Sequence, residues 1–229
     1  MNVLHRHDYC GMSLEAWHNF SPRQLEQLQA AFDERPSHAE GVLAGRQSVT
    51  ILELEDIGPV AVKQFARGGL IQHLNRRLYL QWPRSRSERE IRWLETVRRV
   101  GLAAPRPIGF AIRGEIIGQC WLIMHALTEH CSLIQTAQDG NLDDIVCAQV
   151  AGQVRILISH GIWHRDLHPG NVLVDKNKKP CIIDFDKARY VNNQRLLKER
   201  YHKRWDRAVV KHDLPSELAR IMILAVADP

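Results

Sequence analysis

Apolar residues recur at helix and strand spacings along most of the chain, and turn residues punctuate them into elements. Ser21-Pro22-Arg23-Gln24 has the form of a helix start, with Ser as N-cap, Pro at the first helical position and Gln three residues past the cap. Leu25, Leu28 and Phe32 follow on one face, and Pro36 ends that helix. Val49, Ile51 and Leu54, a Gly58-Pro59 turn and Val60 to Phe65 predict a two-stranded hairpin. Ser85 to Val100 is predicted helical, with Ile91, Leu94 and Val97 on a stripe and Gly101 as its stop. Ile116 to Met124 predicts two short strands around Gly118. Asn141 caps the most regular predicted helix, in which Val146, Val150, Val154, Leu157 and Ile158 recur before Gly161. Ile162-Trp163, Val172-Leu173-Val174 and Cys181-Ile182-Ile183 are short apolar pieces separated by a polar loop and a Lys/Asn/Pro turn. Strands first and helices later, with a hairpin between them, is an α+β order.

Composition narrows the class. The chain has 229 residues, 45% apolar and 25% charged, which suits one ordinary domain or two small lobes sharing a cleft. Disordered, collagen-like and disulfide-scaffold proteins are excluded. The five cysteines are scattered without a Cys-x-x-Cys pair and read as reduced thiols, Cys147 and Cys181 as core residues. His5, Arg6, His7 and Asp8 stand where a secretory leader needs an apolar run. The longest apolar stretches, Cys120 to Met124 and Ile221 to Ala227, fall far short of the ~20 residues that span a bilayer. A soluble cytoplasmic protein is the expectation. The formal charge of +5 is unevenly spread. Lys63 to Arg92 holds eight basic and two acidic residues, and Lys176 to Lys211 holds twelve and four, so the rest of the chain is acidic. Two basic segments on an acidic body predict an anionic partner.

The chemistry is concentrated in His164-Arg165-Asp166-Leu167-His168-Pro169-Gly170-Asn171 and, thirteen residues after the Asn, in Asp184-Phe185-Asp186. Phosphoryl transfer needs a carboxylate that orients and deprotonates the attacking hydroxyl, and oxygen ligands for a Mg²⁺ that bridges the nucleotide phosphates. Asp166 and Asn171, five apart on a tight loop, suit a base and a metal ligand, and Asp184 suits a second ligand. His168 reads as a loop residue bonded to backbone or to Asp184, and His164 and Arg165 as braces of the loop. Asp186 suits either a metal or a partner such as Lys187.

These residues resemble the protein-kinase-like fold, with its HRDLxxxxN loop and an Asp-Phe pair. Val60-Ala61-Val62-Lys63 resembles the strand whose lysine holds nucleotide phosphates, and its usual partner is a glutamate of the following helix. Glu88 and Glu90 compete for that part, each within a capping box, Ser85-x-x-Glu88 or Ser87-x-x-Glu90. If Ser85 is the cap, Glu90 is the partner. Gly41 and Gly45 stand at the nucleotide loop without its usual glycine spacing, as phosphate-lining or plain turn residues. Asp186 replaces the expected glycine, no Ala-Pro-Glu follows, and only 45 residues remain after Asp184, too few for the usual docking of a protein substrate.

The sequence most resembles the bacterial lipopolysaccharide kinase family, especially the 3-deoxy-D-manno-octulosonic acid (Kdo) kinases. The resemblance lies in Lys63-Gln64-Phe65-Ala66-Arg67-Gly68-Gly69-Leu70, in Arg76, Tyr79, Arg86, Arg89 and Glu90, in Gly101 to Pro107, in Asp184-Phe185-Asp186-Lys187, and in the basic tail with Trp205. It implies an α+β, two-lobed fold: a helical extension over 1–40, a small antiparallel-sheet N-lobe over 41–125, and a shortened, mostly helical C-lobe over 126–229. It implies ATP and Mg²⁺ as cofactors, with Lys63, Gly41, Gly45, Met124 and Ala126 toward the nucleotide and Asn171 and Asp184 toward the metal. Asp166, Lys63 and Glu90 are then the catalytic set. The implied acceptor is a sugar hydroxyl of the lipopolysaccharide inner core, at the cytoplasmic face of the inner membrane. Arg67, Arg76, Arg77, Arg84, Arg86, Arg200, Lys203, Arg204 and Arg207 would draw an anionic glycolipid and membrane surface, with Trp82 and Trp205 as interfacial anchors. Two other readings remain open at this stage: an atypical protein or small-metabolite kinase, and a non-catalytic scaffold or nucleic-acid-binding protein. Nucleic acid is not the expected partner, and the oligomeric state is open.

Overall fold

In the computed structural model, residues 4–34, 48–65, 79–80, 85–114 and 117–227 are described. The chain divides into two compact units, residues 1–92 with 106–128 and residues 93–105 with 129–229. The first unit begins with β1 (His5–Tyr9), β2 (Met12–Ala16) and α1 (Pro22–Asp33). It continues through β3 (Ser48–Leu54), β4 (Gly58–Gln64), β5 (Tyr79–Leu80) and the start of α2 (Arg86–Arg99), and then β6 (Pro107–Arg113) and β7 (Ile117–His125). The sheet order is β1-β2-β6-β7-β4-β3, antiparallel throughout, with β5 pairing β7.

The segment before residue 40 is more than a helical extension. Met12, Leu14 and Ala16 alternate with Ser13 and Glu15, so one side of β2 is buried and the strand joins the sheet beside β6. Gly109 makes that approach possible, since a Cβ there would lie 2.6 Å from the Ala16 Cβ and from the Glu15 carbonyl oxygen. α1 follows the expected chemistry: Ser21 Oγ accepts the Gln24 N–H at 3.2 Å and the Gln24 side chain accepts the Ser21 N–H at 2.9 Å. Its Leu28 and Phe32 bury against Leu14, Leu54, Val62 and Trp121 in one core. The β3–β4 turn lies one step before the predicted Gly58-Pro59, with Asp56 and Gly58 at φ 60° and 87°. β7 is one continuous strand, not two around Gly118. Gln119 to Met124 pair with β6, Trp121 to His125 with β4, and Ile117 and Gly118 with β5, so pairing runs on through Gly118.

The second unit takes the end of α2, β8 (His130–Ser132), α3 (Leu133–Gln138), α4 (Asp144–Ser159) and β9 (Ile162–Trp163). A 3-10 turn (Pro169–Asn171), β10 (Val172–Asp175), β11 (Pro180–Ile182), β12 (Arg189–Tyr190), α5 (Gln194–Lys211) and α6 (Ala219–Val226) complete it. α4 is the central helix and buries Val146, Val150, Val154, Leu157 and Ile158. Its cap is Asp143, not Asn141: Asp143 Oδ1 accepts the Val146 N–H at 2.9 Å. Both are good cap residues, but the helix begins at Asp144, and only Asp143 stands directly before it with its side chain on the N–H of the third helical residue. α5 buries Leu197, Tyr201, Trp205, Ala208 and Val209. Cys120, Cys147 and Cys181 are buried free thiols, and burial pushes Cys181 up to about 12. The architecture is α+β, an antiparallel sheet unit and a mainly helical unit, in keeping with a kinase-like fold.

Candidate active site

In the first unit, Lys63 sits on β4 between β3 and β7, with Val49 of β3 and Leu122 of β7 as its register partners. It is 5% exposed, and its Nζ donates to both oxygens of Glu90, at 2.9 and 2.8 Å. Ser85 decides which glutamate it meets. Its Oγ accepts the Glu88 N–H at 3.1 Å, and Glu88 then pairs with Arg92 at 3.0 Å along the exposed face of α2. Glu90, two residues on and about 200° around the helix, faces the sheet and is 1% exposed. The Lys63 ammonium and the Arg86 guanidinium each stand 5.1 Å from the Phe65 ring centroid. Met124 is half-buried in β7, and the Ala126 N–H donates to the Pro59 carbonyl at 3.0 Å. Gly41 and Gly45 lie outside the described residues, as do Arg67, Arg76, Arg77, Arg84 and Trp82.

In the second unit, the loop after β9 is stitched to its neighbours by backbone and buried side chains. The Tyr201 hydroxyl accepts the His164 N–H at 2.8 Å and donates to the Ile162 carbonyl at 2.7 Å. The His164 Nε2–H donates to the Ile183 carbonyl at 2.8 Å, and its ring stacks edge-on against Phe185. Burial pushes His164 below its ordinary pKa, so it is a neutral structural donor. The Asn171 Nδ2 donates to the Asp166 carbonyl at 2.9 Å, which fixes the amide and leaves Oδ1 as its acceptor. The Ile183 N–H donates to the Asn171 carbonyl at 3.0 Å and brings the next residue, Asp184, to the loop. Asp184 has φ 69°, a left-handed backbone of the kind that collects at functional sites. His168 bonds to backbone: its Nδ1 accepts the Gly170 N–H at 3.1 Å. Burial, helped by the charge of Arg204, pushes it down to about 4.

Asp166 itself is held by two cations. Lys187 Nζ lies 2.5 Å from Oδ2 and Arg204 Nη2 lies 2.9 Å from Oδ1. Burial alone would raise this carboxyl, but the Lys187 hydrogen bond and both positive charges bring it below the ordinary carboxylate value. It is therefore a fixed, ionised acceptor, suited to aligning a hydroxyl by hydrogen bonding. Neither cation was assigned to Asp166 from the sequence. Lys187 was visible as the end of Asp-Phe-Asp-Lys, whereas Arg204 was one of several cations in a basic segment. The donor set fits Mg²⁺, which takes one or two carboxylates, an amide oxygen, waters and phosphate. Asn171 Oδ1 and the Asp184 carboxylate are such donors, and the described residues hold no denser cluster of His, Cys, Asp and Glu.

Trp205 is not an interfacial anchor. It is fully buried, and its Nε1–H donates to the Leu218 carbonyl at 2.8 Å. Among the described residues no helix is long and apolar enough to cross a membrane. The family model described as "Lipopolysaccharide kinase (Kdo/WaaP) family" matches residues 32–217 of the chain. A protein named 3-deoxy-D-manno-octulosonic acid kinase from Photobacterium profundum is 27% identical over 200 residues, 84% of each chain. One of the same name from Pasteurella multocida is 27% identical over 197 residues, 81% of this chain and 82% of the other. A third, from Xylella fastidiosa, is 29% identical over 178 residues, 72% and 70% of the two chains.

Proposed function

Since the chain belongs to the lipopolysaccharide kinase (Kdo/WaaP) family, we propose that it transfers the γ-phosphoryl group of ATP to a hydroxyl of a 3-deoxy-D-manno-octulosonic acid residue in the lipopolysaccharide inner core. Residues 41–125 serve as the nucleotide-binding lobe and 126–229 as the catalytic lobe. Lys63, braced by Glu90, holds the α- and β-phosphates, and Met124 and Ala126 line the base. Asn171 Oδ1 and the Asp184 carboxylate would hold Mg²⁺, which would supply positive charge to the nucleotide phosphates. Asp166 orients the acceptor hydroxyl and takes its proton. Its low basicity suits a loose transition state, in which the nucleophile bonds late and the proton leaves late.

The observation that supports this reading best is the stitched loop, where Asn171 bonds back to Asp166 and hands the chain to Asp184. A scaffold has no use for that arrangement. Exposed Lys203 and Arg207 on α5 support peripheral contact with an anionic membrane at its cytoplasmic face, where ATP is available. The test is acceptor-dependent release of ADP with Kdo-lipid A, set against free sugars, an aminoglycoside and a generic protein. Mass spectrometry should find one added phosphate on the Kdo residue. Turnover with any of the other acceptors and none with the glycolipid rejects the reading.

A further inference from the structure

Three guanidiniums converge on one indole away from Asp166. β12 pairs with β9 so that Arg189 lies directly across from Trp163, and the Arg189 Cζ stands 4.3 Å from the indole centroid. Arg200, from α5, stands at 4.2 Å, and Arg165 at 5.5 Å. None of the three is paired with a carboxylate among the described residues. The carboxylates next in the chain to Arg165 and Arg200 are engaged elsewhere, Asp166 with Lys187 and Arg204, and Glu199 with Arg195. Like charges this close repel within a Debye length of about 10 Å, and stacking on an aromatic face offsets this only weakly. Inside the same group the Trp163 Nε1–H is buried and has no acceptor among the described residues. What is missing is an anion with several acceptor oxygens.

We propose that Trp163, Arg165, Arg189 and Arg200 form a second anion site, which takes a phosphate group that the glycolipid acceptor carries at a distance from its reacting hydroxyl. The acceptor half of this inference rests on the function proposed above. Guanidinium forks match phosphate oxygens bidentately, and a tetrahedral dianion can engage more than one fork at a time. Trp163 and Arg200 are half-buried while Arg165 and Arg189 are exposed, so a phosphate group can approach from solvent and meet guanidiniums held at one indole. α5 sets the spacing. Arg204 stands on Asp166 and Arg200 stands on Trp163, one helical turn apart, or about 6 Å along the axis. The substrate this favours carries its phosphate about that far, measured along α5, from the hydroxyl aligned at Asp166.

Two experiments decide it, with Arg189→Gln and Arg200→Gln as variants. In the first, the full chain is melted in sodium phosphate and in sodium chloride of equal ionic strength. Phosphate should raise the wild-type midpoint, and each variant should lose that increment while melting no lower than wild type in chloride. If the arginines merely brace Trp163, the variants melt lower in both salts, and the proposal falls. In the second, Kdo-lipid A is compared with the same glycolipid stripped of its lipid A phosphates. Wild type should show a KM about ten-fold higher or more for the stripped acceptor, from the loss of charged hydrogen bonds. Each variant should show the high KM with both acceptors and an ordinary KM for ATP. A wild-type KM indifferent to the acceptor's phosphates, with the salt effect intact, means that the site takes free phosphate, which overturns the acceptor assignment. If neither glycolipid turns over, the proposed function fails, and the melting experiment still judges the anion site.

Discussion

Lys63 and Glu90 face each other across two contacts of 2.8 and 2.9 Å with side-chain exposures of 6% and 2%. At that depth the attraction is largely balanced by the desolvation of both ions, so the pair adds little net stability, yet removing one charge is severe. Glu90→Gln keeps the volume and strips the carboxylate from beside a buried ammonium. The expected cost is about 3–5 kcal/mol. At roughly 2–4 °C per kcal/mol for a chain of this size, the melting midpoint should fall by about 6–20 °C. The double variant Lys63→Met/Glu90→Leu replaces the ion pair with apolar groups of similar size and should return to within about 1 kcal/mol of wild type. It should also lose phosphoryl transfer completely, which separates the pair's role in the reaction from its role in the fold. Urea and thermal unfolding of wild type, Glu90→Gln and the double variant, followed by circular dichroism, measure both costs. A loss below about 1 kcal/mol in Glu90→Gln, or a double variant less stable than Glu90→Gln, would refute the reasoning.

Asp184→Ala should abolish ADP release and Asp166→Ala should lower it about 10²–10⁴-fold, as for a lost proton acceptor, while both leave the unfolding midpoint near wild type. Arg204→Gln removes one of the two cations that hold Asp166 low, so the acid limb of the kcat/KM profile should move to higher pH; an unmoved limb means that another group titrates there. His168 has its folded pKa pushed down to about 4, below the unfolded value near 6.5, so on acidification the unfolded chain takes up the proton first. The stability it contributes is complete above pH 6.5 and is lost as the pH falls toward 4, by up to about 3 kcal/mol, and His168→Gln should flatten that part of a pH series of urea midpoints. Gly109→Ala puts a methyl group 2.6 Å from the Ala16 Cβ and the Glu15 carbonyl oxygen, and the midpoint in urea should report a loss of about 1–3 kcal/mol.

What could be read from the sequence was what the chain decides locally. The capping box at Ser21, the hairpin of β3 and β4, and the apolar period of α4 each depend on neighbours within a few residues. Asp166, Asn171 and Asp184 stand out in the same way, because their loop and the strand after it are close in sequence and hydrogen-bonded to each other. Contacts that reach farther left no such trace. Arg204 lies 38 residues beyond Asp166, and nothing in a helix rich in cations marks the one that turns toward a carboxylate. Trp205 was misread for a related reason: an aromatic among basic residues resembles an interfacial anchor until Leu197, Tyr201 and Ala208 are seen to share its buried face. β2 was missed because five residues of alternation are too few to stand out beside a histidine-rich start.

The anchoring of α5 bears on how the chain can change length. Tyr201 and Trp205 are four apart and tied down, one to the Ile162 carbonyl and the other to the Leu218 carbonyl. Arg200 and Arg204 are also four apart, in the adjoining row, about 100° around the axis. One row fixes the rotation of the helix, and the other inherits it. A residue inserted or deleted between Arg200 and Trp205 would break that phase, turning one of the two arginines through about 100° or pulling an anchor out of the core. Insertions before Leu197 or after Val209 leave the phase intact. Natural variants of this chain should therefore differ in length at the ends of α5 and keep a constant count between Arg200 and Trp205, even where the identities of the exposed residues drift.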